Sequence, residues 1–312
     1  MRIIMAGASG FLGSNLAADL TAAGHDVIRL VRRPTRRTGE VAWQPARRQL
    51  DAGALAGADA VINLAGAGIN DRRWTAAYKR ELRASRLDTT ATLAAAIAGL
   101  PPADRPAALL NGSGISCYGH TGDRPVTEES PLGEGFLPEL CRDWEAATDP
   151  AERAGVRVAL LRTAPVLHRD GGLLKPQLLA YKLGVAGPIA GGRQAVPWIS
   201  LVDWLAAVRF VLTGPDLAGP DLAGPVNLVS PHQVTNAEFT KALGAALHRP
   251  TIVPIPGIAL RAVLGGMSVE VVGGSRAVPA VLTGAGFVFR HPDLASALRY
   301  ALTDDVVAPR AV

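Results

Sequence analysis

At 312 residues the chain is long enough for about two domains with a sizeable core. Its 48% hydrophobic content suits a soluble α/β enzyme, and a net charge of +5 with arginines spread along the chain argues against nucleic-acid binding. No apolar run reaches the roughly 18 residues of a membrane-spanning helix, and with a strand predicted from the N-terminus onward no cleavable signal peptide is expected. Cys117 and Cys141 form neither a metal spacing nor a disulfide framework. The expectation is a reduced, cytoplasmic protein with no metal, no membrane segment and no nucleic-acid partner.

Arg2 to Met5 is a short apolar run suited to a buried parallel strand, and it breaks into Gly7-Ala8-Ser9-Gly10-Phe11-Leu12-Gly13. Phe11, Leu12, Leu16 and Leu20 then recur with helical spacing until Gly24, which stands where helices commonly end in glycine. Asp26 to Val31 is a second apolar run. Strand, glycine turn, helix and strand make a dinucleotide-binding unit. Gly7 permits the tight turn, Gly10 lets backbone approach a pyrophosphate, and Gly13 lets helix and strand pack closely. The free amides and positive dipole end of the helix favour the phosphates.

The end of the second strand selects the nucleotide. It reads Arg29-Leu30-Val31-Arg32-Arg33-Pro34, with no carboxylate before Glu40. The forks of Arg32 and Arg33 suit the 2′-phosphate of NADP, whereas NAD would call for an acidic residue on its ribose. The predicted cofactor is NADP(H).

Ala58 to Gly66 is a further buried strand, whose small terminal residues let Leu64, Ala65 and Gly66 pass close to the cofactor. Thr75 to Leu100 is helical and stops before Pro101-Pro102. Ala107 to Asn111 is a strand leading into a Gly112–Gly119 loop, Phe136 to Gly155 a helix, and Val156 to Arg162 another strand, after which Pro165 joins the cofactor set. This alternation predicts an α/β fold with a Rossmann-type doubly wound parallel sheet and ligands at the strands' carboxyl ends. Residues 167–200 are rich in glycine and proline. Leu201 to Leu212 is helical, Val226 to Val229 a short strand, and further helices fall near 236–248, 256–265 and 292–302. The repeat Gly214–Ala218, Gly219–Ala223 reads as a duplicated surface loop. We expect residues 1–166 plus 201–229 to form the cofactor domain, and 167–200 plus 230–312 a smaller C-terminal substrate domain over the crevice.

The glycine spacing, Asn63-Leu64-Ala65-Gly66-Ala67, Arg73-Trp74, Ser85-Arg86, Cys141-Arg142-Asp143-Trp144-Glu145, Arg162, Trp198-Ile199 and Gly284-Ala285-Gly286-Phe287 together carry a resemblance that spans nearly the whole chain. The chain resembles the extended, epimerase-like branch of the short-chain dehydrogenase/reductase superfamily. In particular it looks like the NAD-dependent epimerase/dehydratase homologues with a small C-terminal domain of unknown function. The resemblance implies a catalytic tyrosine with a lysine four residues on, one helical turn apart, the ammonium lowering the phenol pKa for proton exchange during hydride transfer. Aligned on Glu145, those positions hold Leu137 and Cys141, and no Tyr-x-x-x-Lys occurs in the chain.

Ser113 and Tyr118, on the loop after the Ala107–Asn111 strand, then become the candidate catalytic residues: Ser113 to hydrogen-bond the substrate, Tyr118 to donate the proton. Each reads equally well as a turn hydroxyl and a packing aromatic, and Cys117 reads as a small buried hydrophobe. Arg73, Arg193 and Trp198 are the candidate substrate residues, the arginines for a carboxylate or phosphate. Lys79, Arg83 and Arg86 share one side of a helix and read as a solvated face. Histidine commonly stands in relatives where this chain has Ser200, which implies an altered substrate pocket. Extended relatives pair through the helices read at Thr75–Leu100 and Phe136–Gly155, so the expected state is monomer or homodimer. The expected function is an NADP(H)-dependent oxidoreductase or epimerase on a small polar, anionic metabolite. A non-redox isomerase, cyclase or lyase and a non-catalytic NADP-binding regulator are the alternatives.

Overall fold

A computed structural model describes residues 1–213, 221–258, 265–268 and 272–303. The first half alternates as the apolar periodicity requires. Its elements are β1 (Arg2–Ala6), α1 (Phe11–Ala22), β2 (Asp26–Val31), β3 (Glu40–Ala42), β4 (Ala60–Asn63), α2 (Ala76–Ala98), β5 (Ala108–Gly114), β6 (Pro125–Val126), α3 (Phe136–Ala146), α4 (Asp149–Arg153) and β7 (Arg157–Thr163). There follow β8 (Val166–His168), β9 (Gly171–Gly172), α5 (Leu178–Lys182), β10 (Ala195–Val196), β11 (Ile199–Ser200), α6 (Leu201–Leu212), β12 (Gly224–Leu228), β13 (Val234–Thr235), α7 (Asn236–Ala246) and β14 (Arg276–Ala277). Ala280–Gly284 (α8) and Leu294–Leu302 (α9) are the last described helices.

Seven strands form one parallel sheet in the order β12-β7-β5-β4-β1-β2-β3. β1 lies between β2 and β4, so the winding reverses there and a ligand crevice is expected at the carboxyl ends of β1 and β4. Alternation along β1 sends Ile3 and Met5 to one face and Ile4 and Ala6 to the other. The first face packs on Leu16 and Leu20 of α1 and on Trp204, Ala207, Val208 and Val211 of α6. The second packs on Leu93, Ala94 and Ile97 of α2 together with Trp43 and Leu55. The sheet is therefore covered on both sides, which makes this a doubly wound Rossmann architecture.

A separate apolar cluster holds Leu167, Leu174, Tyr181, Trp198, Phe239, Leu243, Leu294 and Leu298. The C-terminal segment does not stay with it. β14 pairs in parallel with β6, and Ala277 and Leu282 join the main core.

Several boundaries differ from the sequence reading. Asp149–Arg153 is a separate helix with Pro150 in its first turn, where the missing N–H costs nothing, so Phe136–Gly155 is two helices rather than one. β5 continues to Gly114, which puts Ser113 inside a strand rather than on a loop. β3 has no sequence signal beyond Val41 and is formed by pairing with β2. The tandem repeat falls largely on residues 214–220, and the helix expected at 256–265 in part on 259–264; both stretches lie outside the described residues.

Candidate functional site

Two of the three turn glycines are fixed by packing. Gly7 has φ +82°, and a Cβ there would lie 2.5 Å from the Leu64 carbonyl carbon; a Cβ on Gly13 would lie 2.1 Å from Gly7 O. Gly10 is different. A Cβ on it would meet only Gly7 O, at an ordinary 3.5 Å, so it faces open space. Gly10 also caps α1 without a side-chain hydrogen bond, and no acidic residue occupies the first turn. The result is open space at the positive end of a helix, which fits a pyrophosphate.

Ser9 is exposed beside Gly10, while Phe11 and Leu12 are half-buried. The Phe11 ring lies 5.4 Å from that of His168 and over Gly171, where a Cβ would come within 2.3 Å of it. Phe11 thus ties the glycine turn to the β8–β9 hairpin. Across the turn, buried Asn63 donates to Thr90 Oγ1 at 2.9 Å and Asn111 Oδ1 at 2.8 Å and accepts from Ala65 N at 3.2 Å. That network fixes the Leu64–Ala65 backbone, which lies against Gly7. Pro165 is exposed between β7 and β8, its carbonyl accepting from Ile199 N.

Beyond β2 lies an open cavity of about 600 Å³ lined by Arg32, Arg33, Trp43, Gln44, Arg48 and Asp51, among others. The expectation that Arg33 lacks an acidic partner needs correction. β3 pairs Glu40 with Arg29, and Arg33 donates to the Glu40 carboxylate at 2.9 and 2.6 Å. Hydrogen bonding from Arg33 holds the Glu40 carboxyl well below the usual carboxylate range. Arg48 pairs with Asp88 at 3.2 Å. Of these three arginines, Arg32 alone makes no ion pair among the described residues, so it is the cation left to meet a phosphate.

Ser113 and Tyr118 come together, but in a buried network rather than on an open loop. Ser113 Oγ donates to Glu145 Oε1 at 2.6 Å, and Arg162 grips the same carboxylate through Nε at 2.9 Å and Nη2 at 2.8 Å. Arg162 Nη1 donates to the Tyr118 hydroxyl at 2.9 Å, which in turn donates to Asn227 Oδ1 at 2.8 Å. Asn227 N donates to Glu128 Oε1 at 3.0 Å and its amide group to Val278 O. Tyr118 is 3% exposed. Burial pushes its phenol up to about 12, the opposite of what a superfamily proton donor needs. Burial also raises the Cys117 thiol, and that of Cys141 to about 11, which leaves neither a nucleophile.

The substrate candidates are scattered. Arg193 is exposed on the glycine loop, and Arg73 is exposed beside Gly265, whose Cβ would stand 3.6 Å from Arg73 Nη2. Trp198, read as a substrate residue, is 1% exposed in the C-terminal apolar cluster, with its indole N–H buried and without a partner among the described residues. The three cations read as one solvated helix face have three fates. Lys79 lies over the Trp74 and Phe136 rings, Arg83 pairs with Asp143, and Arg86 is buried. Among the described residues no cluster of His, Cys, Asp or Glu could hold a metal ion, and no helix is long and apolar enough to cross a membrane.

Sequence reasoning did not find Asn227 as the partner of Tyr118, because nothing local couples positions about a hundred residues apart. Arg162 and Glu145 stood in the sequence as part of the resemblance, without a role.

Comparison with known proteins gives a consistent set of relatives. Residues 3–138 match the NAD dependent epimerase/dehydratase family, and residues 255–301 match a domain of unknown function, DUF1731. The chain is 44% identical over 302 residues to the epimerase family protein Mb2239 of Mycobacterium bovis, covering 96% of this chain and 97% of that protein. It is 34% identical to the human epimerase family protein SDR39U1, over 96% of this chain and 99% of that protein. The crystal structure of human SDR39U1 (isoform 2) with NADPH superposes with a TM-score of 0.85 at 32% identity, covering 96% of this chain and 99% of that one. A nucleoside-diphosphate sugar epimerase from Corynebacterium glutamicum gives a TM-score of 0.76 at 31% identity, covering 98% of this chain and 59% of that one.

Proposed function

The chain belongs to the NAD dependent epimerase/dehydratase family, and on that footing we propose that it binds NADP(H) at the carboxyl ends of β1, β2 and β4 and acts as an oxidoreductase or epimerase on a small polar metabolite. The observation that carries this reading is the open space at Gly10, where the fold has no use for a missing side chain and a pyrophosphate does. Arg32 beside the cavity after β2 supports the 2′-phosphate, and NADPH in the human relative points the same way.

In this reading the first turn of α1 binds the pyrophosphate, Arg32 selects the phosphorylated ribose, and the Asn63 network holds the Leu64–Gly66 turn along the nucleotide. A bound nicotinamide supplies or accepts the hydride. In this reading Ser113 and Tyr118 are structural rather than proton donors, because the hydroxyl protons of both are already donated inside the protein. The same commitment, with Leu137 and Cys141 in the superfamily's tyrosine and lysine positions, favours a second reading in which the protein binds the nucleotide for non-redox chemistry or regulation.

Titrating NADPH and NADH into wild type and Arg32→Ala tests the nucleotide assignment. NADPH should bind wild type about tenfold to a hundredfold more tightly than NADH, and Arg32→Ala should lose most of that preference. Equal affinity of wild type for the two nucleotides contradicts the reading.

A further inference from the structure

Arg86, in the middle of α2, is 7% exposed and has no carboxylate partner among the described residues. A buried guanidinium without a counter-anion is a costly arrangement unless something completes it. Its orientation is fixed from two sides. Nη1 donates to Ala67 O and Leu82 O at 3.1 Å each, and Cζ stands 5.0 Å from the centre of the Trp144 ring. Nε and Nη2 make no hydrogen bond among the described residues, and neither is one of the side-chain atoms sealed from solvent without a partner.

The same molecule shows what such an edge takes. In Arg162 the Nε–Nη2 edge grips the two oxygens of Glu145 at 2.9 and 2.8 Å. In Arg86 that edge is unfilled. The exposed turn at Gly66 lies against the stem and Nη1 side of the same guanidinium, where a Cβ would press within 3.3–3.4 Å of Arg86 Cγ, Cζ and Nη1, so the group sits beside the backbone that borders the crevice. Around it Arg83 is paired with Asp143, and Lys79 lies over aromatic rings. A single planar cation edge, with Arg83 and Lys79 beside it already engaged, matches one negative charge on two coplanar oxygens.

We propose that the Nε–Nη2 edge of Arg86 is the binding site for a carboxylate carried by the small-molecule substrate. The assignment rests on the crevice being the substrate site, as in the function proposed above.

The test is an acetate titration at constant ionic strength, chloride replacing acetate, with melting temperature as the readout and with NADPH present and absent. Wild type should be stabilised with half-saturation in the millimolar range. Arg86→Gln should weaken the response at least tenfold. Arg86→Lys, which keeps the charge and the buried stem but lacks the planar edge, should do the same and serves where Arg86→Gln does not fold. An acetate response that survives Arg86→Lys, or no response in wild type, overturns the site. A wild type that responds to acetate through Arg86 but does not bind NADPH supports the site and refutes the nucleotide reading. One that binds NADPH with an Arg86-independent acetate response refutes the site alone.

Discussion

The Tyr118 hydroxyl lies between Arg162, from which it accepts at 2.9 Å, and Asn227, to which it donates at 2.8 Å, with almost no solvent access. Removing it leaves a buried guanidinium N–H and an amide oxygen short of a partner. Tyr118→Phe should therefore destabilise the fold by about 1–3 kcal/mol, seen as a lower melting temperature, with nucleotide affinity held within about threefold. An unchanged melting temperature contradicts this role. The same burial sets a pH dependence. Tyr118 rises from 10.0 to about 12 and Cys141 from 9.0 to about 11 on folding. Between the unfolded and folded values the native chain holds the extra protons, so stability is complete below about pH 9 and is lost as pH rises towards 12. Urea midpoints measured from pH 8 to 11 should be level at first and then fall, less steeply in Tyr118→Phe. At this scale the sequence is a poor guide. It shows Tyr118 next to a loop-forming glycine, and it does not show that β12 returns Asn227 to its hydroxyl.

Glu145 of α3, Arg162 of β7 and Ser113 of β5 bind three elements through one buried carboxylate. Replacing that carboxylate by an amide leaves Arg162 buried without its counter-charge. Glu145→Gln should cost about 3–5 kcal/mol in chemical denaturation, as breaking one side of a buried pair usually does. A loss below about 1 kcal/mol would mean that the pair is not a main tie between helix and sheet. Elements with a strong local signal are the ones legible in advance. β1, the Gly7–Gly13 turn, α1 and α6 follow from apolar periodicity and glycine spacing, because the physics that makes them is local. β3 has three residues and one clear apolar position, and forms only because β2 offers an edge. Missing it hides the partner of Arg33, since it is β3 that brings Glu40 back beside Arg29.

Across the whole molecule, the parallel sheet with its reversal at β1 and β4 places the glycine turn, the β2 arginine and the Leu64–Gly66 turn on one edge, and this convergence was legible from the strand and helix rhythm alone. The partition of the far C-terminus was less so, since Ala277 and Leu282 pack into the main core while Leu294 and Leu298 pack into the second cluster. Helices α2 and α3, where a homodimer contact was expected, carry none of the large exposed apolar residues found among the described residues; those lie at Leu179, Leu183, Val185, Ile252, Val253, Ile258 and Val288. The α2–α3 surface is instead tied by Arg83 and Asp143. Arg83→Glu should therefore leave the light-scattering mass unchanged across a concentration series, and a change in mass would put an interface on this face.

The central claim is that the open space at Gly10 is a pyrophosphate site, and titration of NADPH into wild type and Gly10→Val, followed by nicotinamide fluorescence, tests it most directly. A Cβ at Gly10 meets nothing closer than Gly7 O at 3.5 Å, so the branched side chain projects into the ligand's space rather than into the protein. The expected result is NADPH binding by wild type, a loss of at least about a hundredfold in affinity in Gly10→Val, and a melting temperature without nucleotide that stays within about 2 °C. Wild-type affinity in Gly10→Val, or no NADPH binding by wild type, would contradict the account.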